Sequence, residues 1–433
     1  MAITPVLRLL SLLFLLLPLP LREYLSTSRR PNDAAVRELH PIILVPGMGC
    51  SDLEARLTEA YHPSAPHCGA LMGKGWFGLW TNASDLEAYD YVECFEEQMR
   101  LVYDPVLNDF RNLHGVEARL TNFSSARGFR YKDPLHPDYC LADLRDALEK
   151  MGYHDGETLF GAPYDFRYAA PLPTQSSEAF SVYFKQFMRL VEQASKKNHH
   201  KKVILFGHSF GGQVALDFVW STPMAWRNKY IKHLILAAPT PSAGFMEPVK
   251  YLVSGTDMLY VPTATPVSLR SMWRSFESAI ANLPSPTVFG HMPLVITKKR
   301  NYSAYDMEDL LTAIGFGHGI EPFKRRAVPK MHYFQAPMVP VTCINGVGNK
   351  TPLQLIYWES DFDEPPELEY GDGDGKVNLI SMLDFDQKMY QRSGKENLFK
   401  SIKLDGVQHT KIVMEEWALK RVIQEIIEAN QIS

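Results

Sequence analysis

Lys202-Val203-Ile204-Leu205-Phe206-Gly207-His208-Ser209-Phe210-Gly211-Gly212 decides the fold. A β-branched and aromatic run breaks abruptly into Gly-His-Ser-Phe-Gly, and residues 213–220, free of Pro and Gly, read as a helix. Strand, elbow, helix is the order that presents a serine on a turn too sharp for neighbouring Cβ atoms, so glycines are needed on both sides of Ser209. Such a turn lifts the Ser209 hydroxyl above a sheet edge. It also aims the amide of Phe210, at the start of the helix, at a developing oxyanion.

Outward from the elbow the pattern is α/β with a mostly parallel sheet. Residues 40–45 are an apolar strand ending in Pro46-Gly47-Met48-Gly49, a glycine-bracketed turn whose Met48 amide is the candidate second oxyanion donor. Leu141, Leu144, Leu148 and Met151 line one helix face, stopped by Gly152. Residues 158–160 read as a strand, and the Asp165 and Arg167 that follow it read as a structural ion pair. Phe180, Phe184, Phe187, Leu190, Val191 and Ala194 form a helical stripe leading into the elbow strand. Residues 234–239 and 339–346 are further core strands, and Trp417, Leu419, Val422, Ile423 and Ile426 mark a closing helix.

Two stretches break this rhythm. Within about 60–135 the chain is rich in aromatics, Gly and Pro, and Trp76, Phe77, Leu79 and Trp80 stand at helical spacing. Aromatic clusters usually pack a core; the functional alternative is a lobe that meets a lipid surface, with Trp76, Phe77 and Trp80 as contacts, since Trp and Phe favour the boundary between water and acyl chains. Within about 240–335, Pro, Ser and Thr with scattered aromatics read as a cap inserted after a core strand.

A serine alcohol needs a base held in the right tautomer by an acid, in the order Ser, Asp, His along the chain. Asp374, in Gly371-Asp372-Gly373-Asp374-Gly375-Lys376-Val377, is preferred to Asp372 because it directly precedes Gly-Lys-Val on a glycine-bracketed loop. One histidine of the fourteen, His409, lies beyond it, so choosing Asp374 fixes the base. The same loop lacks the ligand spacing of a calcium-binding hand, and no metal or nucleotide motif competes, so neither metal nor cofactor is expected.

The 433 residues, 45% hydrophobic, suffice for one large α/β domain, and a net charge of −4 gives no nucleic-acid footprint. Residues 9–21 are almost wholly apolar between Arg8 and Arg22, the length of a signal-peptide core; residues 3–21 approach that of a tilted anchor. Either way residues 1–30 direct the chain into the secretory pathway, endomembrane-anchored, vacuolar or lysosomal, or extracellular, and residues 36–433 form the folded domain. Sequons at Asn82, Asn122, Asn301 and Asn349 suit a glycoprotein. Five cysteines leave at least one thiol free unless chains pair.

His40-Pro41-Ile42-Ile43-Leu44-Val45-Pro46-Gly47 with Leu53-Glu54-Ala55, Ala162-Pro163-Tyr164-Asp165-Phe166-Arg167, the Ser209 elbow, residues 371–377 and Gln408-His409 together resemble the lecithin:cholesterol acyltransferase and lysosomal phospholipase A family of α/β-hydrolases. The resemblance implies Ser209, Asp374 and His409 as catalytic triad and Met48 and Phe210 as oxyanion hole. It also implies Cys68 and Cys94 as the pair closing a membrane-binding loop. A phospholipid surface supplies the acyl donor, and a sterol-like alcohol or water accepts the acyl group. Alternatives are a phospholipase A without transfer and a catalytically silent lipid-binding homologue. Phe166 and Lys376 depart from the family's usual tryptophan and threonine, with neither side chain expected to carry chemistry, and the second family disulfide has no evident counterpart. Such departures mark a plant-type member.

Overall fold

The computed structural model describes residues 39–80, 92–129, 140–255, 265, 267–393 and 398–431. The apolar segment of residues 1–30, the Asn82 sequon, and parts of the expected lobe and cap lie outside the described residues. No described helix is long and apolar enough to cross a membrane.

Six strands form the central sheet: β1 (Ile42–Val45), β2 (Leu159–Gly161), β3 (Val203–His208), β4 (Ile231–Ala237), β5 (Val341–Val347) and β6 (Phe399–Asp405). Their order across the sheet is β6-β5-β4-β3-β1-β2, and every pairing is parallel. A strand covered on both faces must be apolar throughout, which is why β1, β2 and β3 are buried at every position. The main helices are α1 (Ala142–Lys150), α2 (Glu178–Lys197), α3 (Phe210–Ser221), α4 (Met246–Ser254), α5 (Leu379–Ser393) and α6 (Glu416–Gln431). Ser177 caps α2 through its side chain, and Phe180, Phe187, Leu190, Val191 and Ala194 turn inward as expected. The elbow helix α3 starts at Phe210, three residues before the stretch whose composition announced it.

Three readings need correction. Trp76–Trp80 is not helical: Phe77–Trp80 is a strand, paired with Leu53–Leu57, which pairs in turn with Val116–Leu120. Trp417 on α6 is exposed; that helix buries the expected Val422 and Ile426 together with Ala418, Glu425 and Ala429. The inserted region is more ordered than its composition implied. Beside α4 and several short helices it contributes strands Val295–Thr297 and Asn301–Tyr302, which join the hairpin Asn349–Tyr357 and Glu367–Gly373 in a second sheet.

Two disulfides brace the outer layer. Cys68–Cys94 matches the pairing implied by resemblance. Cys50–Cys140, not anticipated as a pair, ties the loop after β1 to the chain entering α1, 90 residues on. Cys343 remains as a buried free thiol, pushed by burial up to about 12.

Candidate active site

Ser209 sits between β3 and α3 with φ 55° and ψ −130°, a left-handed φ that only a surrounding framework can hold in a non-glycine residue. The framework is tight. A Cβ on Gly207 would come within 2.6 Å of the Gly212 Cα, and one on Gly211 within 2.1 Å of the Pro46 carbonyl oxygen. The Ser209 amide donates to Ala237 O at 2.9 Å, and its own carbonyl accepts from Gly212 N and Thr240 N.

The structure brings the three sequence candidates together. The Ser209 hydroxyl lies 2.8 Å from His409 Nε2, and His409 Nδ1 lies 2.8 Å from Asp374 Oδ2. A carboxylate only accepts, so Nδ1 carries the proton and Nε2 offers its lone pair to the hydroxyl. Asp374 is fully buried, yet its other oxygen accepts from the Lys376 and Val377 amides at 3.0 and 2.8 Å. Two backbone donors and an imidazole together satisfy the hydrogen-bonding capacity of this buried carboxylate. His409 N donates to Asp374 O at 2.7 Å, fixing the His409 backbone to the Asp374 loop. The neighbouring Asp372 points elsewhere, accepting from Gly348 N at 2.7 Å. The long stretch of chain between β5 and Asp374 has a structural cause: the hairpin of the second sheet intervenes.

The two oxyanion candidates flank the serine. Phe210 is the first residue of α3, where an amide has no intrahelical acceptor. The Met48 loop is adjacent: a Cβ on Gly47 would lie 3.2 Å from the Ser209 Cβ. Trp80 supports that loop. It is 6% exposed and its Nε1 donates to Gly49 O at 2.8 Å, so this residue, a candidate for a lipid surface, is a buried wall beside the Met48 loop. Phe77 is half-buried against the core. Trp76 is half-buried too, with the guanidinium groups of Arg56 and Arg119 at 5.1 and 4.2 Å from its ring centroid.

His208, unremarked in the sequence, is buried next to the serine. Its Nε2 lies 3.4 Å from the His409 carbonyl, while Nδ1 is buried without a partner. Burial, then the nearby His409, pushes it down to about 3, so it stays neutral. Lys376, expected to be idle, reaches Glu247 on α4 at 3.0 Å. Asp165 and Arg167 form the expected structural pair at 2.6 Å, with Arg167 fully buried. His67, Cys68, Glu93 and Cys94 cluster like metal ligands, but both sulfurs are spent in the disulfide. Of the sequons, Asn349 is already engaged: its side-chain amide donates to Val407 O at 2.8 Å.

A serine on a strand–helix elbow at the carboxyl end of an all-parallel sheet, approached by a histidine from beyond the edge strand, defines an α/β-hydrolase fold. The profile of the lecithin:cholesterol acyltransferase family matches residues 76–313, which include Ser209 and stop short of Asp374 and His409. Lecithin-cholesterol acyltransferase-like 1 of Oryza sativa subsp. japonica is 40% identical over 93% of this chain and 89% of its own length. Lysosomal phospholipase A and acyltransferase of Canis lupus familiaris is 30% identical, covering 95% of each chain. Phosphatidylcholine-sterol acyltransferase of Mus musculus is 30% identical over 86% of this chain and 83% of its own. The chain belongs to the lecithin:cholesterol acyltransferase family, whose relatives carry the names of lipid acyltransferases and phospholipases.

Proposed function

We propose that this chain transfers a fatty acyl group from a glycerophospholipid, through an ester on Ser209, to a sterol-like alcohol or to water. The observation that carries the reading is the unbroken line of two 2.8 Å contacts from Ser209 through His409 to Asp374. His409 Nε2 takes the hydroxyl proton as Ser209 Oγ bonds to the ester carbonyl carbon, and Asp374 stabilises the imidazolium. The Met48 and Phe210 amides receive the negative charge on the carbonyl oxygen. As the intermediate collapses, the carbon–oxygen bond to the glycerol breaks and His409 returns the proton to the departing lysophospholipid alcohol. The acceptor then gives its proton to His409 and attacks the acyl-serine carbonyl carbon; the bond to Ser209 Oγ breaks, His409 returns the proton to Oγ, and the acyl group leaves as an ester or a free acid.

The lobe that carries Trp76, with Arg56 and Arg119 over its ring, is proposed as the face that meets the phospholipid headgroups. Two disulfides support an oxidising, secretory-pathway compartment. Incubation with phosphatidylcholine vesicles labelled separately at each acyl position, with and without sterol, tests the function. Steryl ester establishes transfer, free fatty acid alone establishes hydrolysis, and undiminished turnover by Ser209→Ala rejects the proposal.

A further inference from the structure

The carboxylate of Asp374 is steered from the cap. One of its oxygens is held by the Lys376 and Val377 amides. The side chains of those same two residues are committed to the first residues of α4 and the residue before them. Lys376 Nζ lies 3.0 Å from Oε1 of Glu247, a carboxylate 7% exposed. Val377, fully buried, packs with Phe245 and Met382 in a small cluster apart from the main core. The next residue continues the joint: Asn378 Oδ1 accepts from Met246 N at 3.0 Å, capping α4, and Ser381 Oγ donates to Gly244 O at 2.7 Å. Three consecutive cap residues, Phe245, Met246 and Glu247, thus rest on the loop that orients the acid, and Gly244 before them rests on the first turn of α5, which follows that loop. The same stretch of chain begins beside the nucleophile, where Thr240 N meets the Ser209 carbonyl.

We propose that Lys376 and Glu247 form a latch that makes the seating of the cap and the aim of Asp374 a single mechanical unit, with Lys376 as a positioning residue for the triad. The proposal rests on the triad reading given above. When the latch opens, the amides at 376 and 377 turn away with their side chains and the carboxylate drifts from His409 Nδ1. The imidazolium that forms during attack then loses its stabilising partner.

The test uses the full chain with p-nitrophenyl butyrate, a soluble ester that needs no lipid surface. In Lys376→Met, kcat falls about tenfold with KM unchanged, as expected for two contacting groups coupled to the reacting centre. The acid limb of the kcat/KM profile moves to lower pH, a shift that a merely structural role would not produce. Lys376→Arg restores both. If Lys376→Met fails to fold because Glu247 is left buried without its partner, the double variant Glu247→Gln/Lys376→Met removes both charges and is expected to show the same loss and the same shift. Wild-type kcat and an unmoved acid limb in either folded variant overturn the latch. Ser209→Ala in the same assay separates the two claims. If it is inactive while the latch variants behave as wild type, the latch alone fails; if it stays active, the triad and the latch fall together.

Discussion

Gly211→Ala puts the packing of the elbow to a quantitative test. A Cβ at this position would stand 2.1 Å from the Pro46 carbonyl oxygen and 2.5 Å from that of Val45. Both are backbone atoms at the end of β1, so no rotamer change relieves the overlap. An ordinary carbon–oxygen contact is about 3.3 Å, so α3 and the end of β1 must separate by about 1.2 Å. That movement falls between Phe210 and Met48, the two proposed oxyanion donors, and a misplacement of about 1 Å at a reacting centre costs roughly a hundredfold in rate. We expect kcat for a soluble ester to fall about a hundredfold, equivalent to about 2.7 kcal/mol of transition-state stabilisation. Overpacking should lower folding stability by about 1–3 kcal/mol as well. Gly317→Ala is the control, because a Cβ there meets nothing within 4 Å. Steady-state kinetics and urea denaturation on the two variants suffice. A Gly211→Ala enzyme with wild-type kcat would show that the elbow and the β1 loop tolerate separation, and the oxyanion assignment would fail.

Asp374→Asn keeps the shape of the acid but inverts the tautomer of His409, and kcat should drop by about ten-thousandfold with folding retained; a loss under tenfold refutes its role. Asp165→Ala strands the fully buried Arg167 guanidinium, and the denaturation midpoint should report a loss of about 3–5 kcal/mol; a loss below 1 kcal/mol contradicts the ion-pair reading. Acid should destabilise the fold through its buried histidines. Burial holds His208 at about 3 and His233 at about 4, below the ordinary 6.5, so both are neutral when folded while the unfolded chain takes up a proton at each. Stability present above pH 6.5 is therefore lost as the pH falls towards those values, by up to about 1.4 kcal/mol per pH unit for each residue. His233→Leu should reduce the measured slope between pH 6 and 5 by about that amount, and an unchanged slope counts against the assignment.

The sequence made the centre of this molecule legible because its local chemistry admits few alternatives. Gly207 and Gly211 lie against backbone that excludes any side chain, and β3 and β4 carry apolar residues on both faces because both faces are covered. His409 followed from chain order once Asp374 was chosen. The periphery was less legible. Trp76 to Trp80 has spacing that a helix and a strand both satisfy, and pairing with Leu53–Leu57, distant in sequence, settles it as a strand. The second sheet hid because Glu367–Gly373 is mostly exposed and polar, and Asn349–Tyr357 carries Pro352 at a register shift. On α6 the inward face adds Ala418, Ala429 and a buried Glu425 paired with Lys400 and Arg421 to the expected Val422 and Ile426, so Trp417 was a misleading guide. The Cys50–Cys140 pairing and the Lys376–Glu247 contact depend on how distant segments meet, which residue spacing does not encode.

The most direct measurement is peptide mapping of the protein quenched with acid during turnover of phosphatidylcholine. Acyl transfer through Ser209 requires a fatty acyl mass on the peptide containing that residue, and no such mass in Ser209→Ala. An acyl group found on another side chain, or turnover with no ester at Ser209 under any quench, would contradict the account.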